Sequence, residues 1–346
     1  MMNKKKFGAA VLAGMMMFGM GTSAFAAEIP DVNNNGKVNI TKDFEMADGL
    51  ETPNVTFSFE AKSTTPDAPT ATVENVSYTK DDKGTLKDGK YVISKNAAIS
   101  FGQWKHAGEY VYTVKETQGS ESGVSYSTAE YTLRVYVINT DNGLAVEKIT
   151  AQGKDGKTDK ILFTNVYAKN NASLTIIKNT DGKYADKTKK FDFEITFTKS
   201  PTSDQTTFTG HIGNQEVVCE AGKAMSFKLS DKEQLVFNNL PVGTTYVVTE
   251  KGVNGDGYTP SITVIENGKQ TVAQSGNETD DLSSLNQNKN NLVGENDNKV
   301  TFVNNYQDIA ITGIVMNNLP FILLIGVAVL AFGALAVMKK RRTFER

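Results

Sequence analysis

Tyr131 to Ile138 reads YTLRVYVI. Successive side chains of an extended strand point to opposite faces, so Tyr131, Leu133, Val135 and Val137 share one face and Thr132, Arg134 and Tyr136 the other. One apolar face and one polar face predict a half-buried antiparallel strand. Val55 to Lys62, VTFSFEAK, alternates in the same way. The surrounding chain is rich in Thr, Val, Asn, Lys and Gly, and no stretch carries the 3.6-residue apolar period of a long amphipathic helix. The body is therefore predicted to be all-β, built as sandwiches of two packed sheets.

Outward from these strands, the two ends of the chain have a different character. Lys4, Lys5 and Lys6 precede an apolar run from Phe7 to Met20, and Ala24-Phe25-Ala26 supplies small residues at a cleavage position. Residues 1–26 thus read as a secretory signal peptide, with the mature chain beginning at Ala27. At the other end no charge occurs between Ile309 and Met338. Residues 319–338 are long enough to span the hydrocarbon core of a bilayer, and Lys339, Lys340, Arg341 and Arg342 follow as a basic cytoplasmic tail. The order Ile309-Ala310-Ile311-Thr312-Gly313, apolar span, basic tail resembles the cell-wall sorting signal of Gram-positive surface proteins, whose usual pentapeptide is LPXTG. Here Ile309 and Ala310 replace the Leu and Pro of that pattern. The resemblance implies sortase cleavage between Thr312 and Gly313, and it makes residues 309–346 a sorting segment.

Composition removes several classes of function. The 346 residues include 37 basic and 39 acidic side chains, a formal net charge of −2 that does not suit binding to nucleic acid phosphates. One cysteine, Cys219, forbids an intrachain disulfide and a Cys-rich zinc site, and two histidines argue against a His-based metal site. Asp31, Asn33, Asn35 and Gly36 mimic the start of a calcium loop, but Lys42 stands where its bidentate Glu belongs. No metal and no cofactor is called for. Cys219 reads as a small core hydrophobe, and Trp104, beside Phe101, as a core or edge aromatic. His106 and His211 have no acidic partner in the sequence pattern.

The body also repeats itself. VNITK (Val38–Lys42) matches LTIIK (Leu174–Lys178), and FSFEAKS (Phe57–Ser63) resembles FDFEITF (Phe191–Phe197). GEYVYTVKE (Gly108–Glu116) matches GTTYVVTE (Gly243–Glu250), VSYS answers to DGYTPS, and ILFTNVY (Ile161–Tyr167) matches VTFVNNY (Val300–Tyr306). The steps between copies are nearly equal, so two tandem domains of about 140 residues are expected. Their expected spans are residues 27–168 and 169–308.

Both copies share a Lys on the first strand, a Glu mid-domain and an Asn on the last strand. Lys42 lies two residues beyond Ile40, and Lys178 two beyond Ile176, so alternation puts each Lys on the face of that isoleucine. Asn165 shares a face with Phe163 and Tyr167, and Asn304 with Phe302 and Tyr306. If those faces are core, three polar groups per domain are buried and must find partners.

These residues, with YTVKE, the VSYS step and the closing FTNVY, resemble the isopeptide-linkage domains of Gram-positive backbone pilins of the streptococcal T-antigen type. The resemblance implies two tandem immunoglobulin-like sandwiches of the collagen-adhesin B type. It also implies spontaneous amide bonds Lys42–Asn165, assisted by Glu116, and Lys178–Asn304, assisted by Glu250. The chemistry fits the residue types. Burial lowers a lysine pKa and raises that of a carboxyl, which frees the amine as nucleophile and leaves Glu able to polarise the Asn carbonyl and shuttle a proton to departing ammonia. A loop as long as Lys42 to Asn165, closed covalently, would cost the unfolded chain about 4–5 kcal/mol of entropy.

The function these features imply is a structural subunit of a cell-wall pilus on a Gram-positive bacterium, not an enzyme. Its expected partners are sortase and either neighbouring pilin subunits or peptidoglycan, with host or surface ligands left open and the membrane touched only before sorting. Lys157 and Lys160, in GKDGKTDK before the last strand of the first domain, are the expected inter-subunit acceptors, with Lys154 a third. A singly anchored adhesin with the same domains is the alternative.

Overall fold

The structure is a computed structural model that describes residues 38–252 and 256–306. The signal peptide, Thr312, Gly313 and the sorting segment lie outside the described residues. Those described contain only strands, turns and loops, with no helix.

Residues 38–167 form two facing sheets. In the first, the strand order is Ala71–Val73, Lys90–Phe101, Val38–Met46, Leu162–Tyr167 and Val124–Ser125, with Thr85–Lys87 also on Lys90–Phe101. The second runs Gly156–Thr158, Gly143–Gly153, Glu130–Thr140, Gly108–Glu116 and Phe59–Ser63. Leu133, Val135 and Val137 of the opening stretch are buried between them, whereas Thr132, Arg134 and Tyr136 are half-exposed. Each such buried aliphatic side chain contributes roughly 1.5–3 kcal/mol, which makes alternation decisive for the face a strand turns inward.

The stretch VTFSFEAK runs as two strands rather than one. Val55–Phe57 pairs with Val76–Tyr78 in a separate two-stranded ribbon, and Phe59–Ser63 joins Gly108–Glu116. The break falls at Ser58, whose carbonyl accepts a hydrogen bond from the Thr117 N–H. Both halves pack aromatic rings into the core: Phe57 meets Phe44, Tyr78 and Tyr126 at ring distances of 5.3, 5.8 and 5.7 Å, and Phe59 meets Phe163 at 5.2 Å.

Residues 172–306 repeat the plan. One sheet has the order Gln215–Glu220, Thr207–Ile212, Gln234–Leu240, Ala172–Asp181, Lys299–Tyr306, Tyr258–Glu266 and Lys269–Ser275. The other has Ala224–Leu229, Phe191–Thr198 and Thr245–Glu250, with Leu282–Ser283 and Asn291–Leu292 both on Thr245–Glu250. Cys219 is buried in this core, where burial pushes its thiol up to about 11. Trp104 packs on Phe101 and Tyr110 at the margin of the first core.

Between Tyr167 and Ala172 the chain passes from one sandwich to the other. The turn after Met46 meets the second sandwich there. The Gly49 carbonyl accepts from the Glu295 N–H at 3.2 Å, the Glu51 N–H donates to the Glu295 carboxylate at 2.6 Å, and Lys169 pairs with that carboxylate. Gly49 has φ +86°, and a Cβ there would stand 2.9 Å from the Gly294 Cα, so glycine is what lets the two loops meet.

Candidate cross-link sites

In each sandwich the first and last strands are parallel neighbours. Lys42 lies opposite Phe163 and Phe44 opposite Asn165; Lys178 lies opposite Phe302 and Thr180 opposite Asn304. The Asn is thus two positions along from the Lys in both, on the same inward face.

Val38, Ile40, Lys42, Phe44 and Met46 all turn inward, so Lys42 is one cation in an apolar row, with no exposed surface. Leu174, Ile176 and Lys178 repeat the arrangement. The Glu reaches in from the facing sheet. Glu116 ends the inward row Tyr110, Tyr112, Val114, and Glu250 the row Tyr246, Val248.

In the first sandwich Lys42 Nζ lies 2.8 Å from Glu116 Oε2, and Asn165 Nδ2 donates to Glu116 Oε1 at 2.5 Å. The third contact is one that no side-chain pattern announces: the backbone N–H of Ser127 donates to Asn165 Oδ1 at 2.7 Å. A backbone N–H can only donate, so the Asn165 atom facing it is the carbonyl oxygen, and the amide nitrogen is left facing Glu116. The expected contact, Glu polarising the Asn carbonyl, is therefore replaced here by Ser127.

In the second sandwich both donors converge on one oxygen. Lys178 Nζ lies 2.8 Å from Glu250 Oε1, and Asn304 Nδ2 donates to the same atom at 2.7 Å. Glu250 Oε2 and Asn304 Oδ1 are buried without a hydrogen-bond partner among the described residues.

Aromatic rings wall off each amine. Lys42 Nζ sits 4.4 Å from the Phe57 ring centre, and Lys178 Nζ 4.2 Å from that of Phe191. Burial is the main cause that lowers both lysines from 10.5 to about 8, against the opposing pull of their Glu partners. Burial likewise raises the Glu250 carboxyl, against the lowering effect of Lys178 and Asn304. Each site thus brings together an amine drawn toward its neutral form, a carboxyl and a carboxamide, and in the second the carboxyl is drawn toward its protonated form.

Comparison with known proteins bears on the domain that holds the first of these sites. Residues 38–168 match the family model of the Spy0128-like isopeptide containing domain. Over 95% of its length this chain is 28% identical to a curated pilin of Streptococcus pyogenes serotype M1, covering 99% of that protein. Residues 38–168 are thus an isopeptide-type domain, in a chain that is pilin-like along its length. Residues 172–306 match a second family model, a domain of unknown function numbered DUF7601. The crystal structure of the major pilin from Streptococcus pyogenes is 25% identical, with a TM-score of 0.38 over 79% of this chain and 99% of that one. A further match, 40% identical over 81 residues, is to 12% of the pilus tip adhesin Cpa of the same species.

Elsewhere on the chain, Lys154, Lys157 and Lys160 are all exposed. Lys157 lies on the edge strand Gly156–Thr158, and with Lys154 it borders a groove of about 1100 Å³ between that edge and Ser125–Arg134. His106 contacts the Tyr110 hydroxyl at 3.2 Å, and His211 is exposed on Thr207–Ile212. Among the described residues no cluster of His, Cys, Asp or Glu is arranged to hold a metal.

Proposed function

We propose that this pilus subunit matures by closing two amide bonds, Lys42–Asn165 and Lys178–Asn304, with Glu116 and Glu250 as their proton carriers. The observation that supports this best is the repeated, fully buried grouping of amine, carboxyl and carboxamide, each donor within 2.8 Å of the carboxyl. The Lys nitrogen attacks Asn Cγ and gives a proton to Glu. The Cγ–Nδ2 bond breaks, Nδ2 receives a proton from Glu, and ammonia leaves. The reaction turns over once per site and needs no cofactor, so the activity is maturation rather than enzymatic turnover.

The bonds suit a subunit joined end to end. Sortase cleaving between Thr312 and Gly313 would pass the Thr312 acyl group to Lys157 or Lys160 of the next subunit, or to peptidoglycan at the base. The adhesin reading is the weaker one, because the adhesin match spans only 81 residues and so concerns a shared domain.

The intact mass of the folded chain is expected to fall short of the sequence mass by two ammonias. Glu116→Ala and Glu250→Ala should each restore one, as should Asn304→Ala, whereas Asn305→Ala, on the exposed face of its strand, should not. Full sequence mass in the folded wild type would overturn the bond reading. In cells, Thr312→Ala should leave the chain in the membrane fraction; unchanged release by wall hydrolases would exclude Thr312 as the processing site.

A further inference from the structure

We infer that the two sites polarise their Asn carbonyls by different means, and that the backbone N–H of Ser127 is a catalytic donor for the first bond with no counterpart at the second. The inference rests on the bond reading above and adds a group to it.

When Lys42 Nζ adds to Asn165 Cγ, the carbonyl π pair moves onto Oδ1, which becomes an oxyanion. When the Cγ–Nδ2 bond breaks and ammonia leaves with a proton from Glu116, that pair returns to re-form C=O. A donor already aimed at Oδ1 stabilises the intermediate without rearranging, and donors 2.7–3.1 Å from the developing charge do this best. The Ser127 N–H stands at 2.7 Å from Oδ1. The remaining two contacts then fall to Glu116, one on each oxygen: Oε2 takes the proton from Lys42 and Oε1 faces the nitrogen that must receive one.

The Ser127 peptide is held from several sides. On the other edge of the closing strand Val124 and Ser125 pair with Tyr167 and Val166, after which that segment leaves the ladder. That departure lets the next N–H but one reach a side chain instead of a strand carbonyl. The Ser127 carbonyl accepts from Gln118 Nε2 at 2.8 Å, and its Oγ from the Ala129 N–H at 3.3 Å. Tyr126 packs on Phe57, the ring beneath Lys42, and its hydroxyl accepts from the Glu121 N–H.

The second sandwich is built otherwise. There the neighbouring strand Tyr258–Glu266 stays in register along the closing strand, so that Pro260 lies opposite Asn304 and Ser261 opposite Val303. Proline has no N–H to offer. Asn304 Oδ1 is left without a donor, and the buried Glu250 Oε2 without a partner. Glu250, once it holds the proton taken from Lys178, is then the one acid at hand for both the carbonyl and the leaving nitrogen.

The test follows both bonds in the full chain, held unfolded in denaturant after synthesis and folded by dilution into detergent. Loss of ammonia is timed by mass and assigned to each site from cross-linked peptides. Three variants decide: Ser127→Ala, which keeps the N–H; Ser127→Pro, which removes it; and a chain whose Ser127 amide is replaced by an ester, which removes the donor while keeping the shape. The expected result is a wild-type rate for Ser127→Ala. The ester, and Ser127→Pro if it folds, should slow the first bond by roughly a hundredfold and leave the second unchanged. An ester chain that folds and closes Lys42–Asn165 at the wild-type rate overturns the assignment while leaving the bond reading intact. A wild-type chain that never loses ammonia overturns both.

Discussion

Lys42 stands where a strand of this kind would ordinarily place a valine or isoleucine, and that substitution of a cation for a hydrocarbon has a measurable consequence. Burying an ammonium is costly, and the protein answers by drawing the amine down to about 8. Once the bond forms, the titrating group is gone; the consequence is visible only in a chain that cannot close it. In Asn165→Ala, Lys42 remains a free buried amine. Its folded pKa, near 8, lies below the 10.5 of an unfolded lysine. Between those values the unfolded state binds more protons, so stability rises with pH across that window and is lost as pH falls back through 8. Denaturant unfolding of the first domain in Asn165→Ala, compared with the double variant Lys42→Met/Asn165→Ala, should show this rise in the first and not in the second. Parallel pH profiles would mean that Lys42 is solvated in the absence of its bond.

At the scale of the element, what could be read in advance follows the period of the strand. The alternation of YTLRVYVI and of the closing FTNVY tells which side chains turn inward, and the structure buries Leu133, Val135, Phe163 and Tyr167 accordingly. The same period puts Asn304 inside and Asn305 outside on a strand that offers both. Features without a side-chain period were not legible. The break at Ser58 depends on which distant strand each half pairs with, Val76–Tyr78 for one and Gly108–Glu116 for the other. The Ser127 contact belongs to a backbone N–H, which every residue but proline carries, so its role arises from where the chain leaves the ladder. The VSYS and DGYTPS steps, aligned by sequence, already differ by the proline that closes off this device in the second copy. Their meaning appears only when the register sets Pro260 opposite Asn304. The joint between the sandwiches is likewise a meeting of turns, Gly49 against Gly294 and Glu295, where no periodicity operates.

Across the whole molecule the two bonds would stand in different relations to tension. Suppose force enters at Lys160 and leaves beyond Tyr306, as it would in a chain of subunits joined through that lysine. The shortest covalent route runs from Lys160 up the closing strand to Asn165, through the linker to Lys178, across the second bond to Asn304, and out. The second bond lies on this route and excludes residues 179–303 from the load. The first bond does not lie on it. Its part is to pin Asn165 to Lys42, so that the closing strand is not peeled from its neighbour before the load reaches the linker. The two deletions should therefore look unlike each other in single-molecule pulling with attachment points at Lys160 and after Tyr306. The wild-type chain should show no unfolding step. Lys178→Met should release the bypassed segment in a step of roughly 400 Å, given about 3.3–3.6 Å per extended residue. Lys42→Met should yield only the short stretch between Lys160 and Lys178, on the order of 60 Å by the same measure. A long step in Lys42→Met, or none in Lys178→Met, would show that tension takes another path through the sheets.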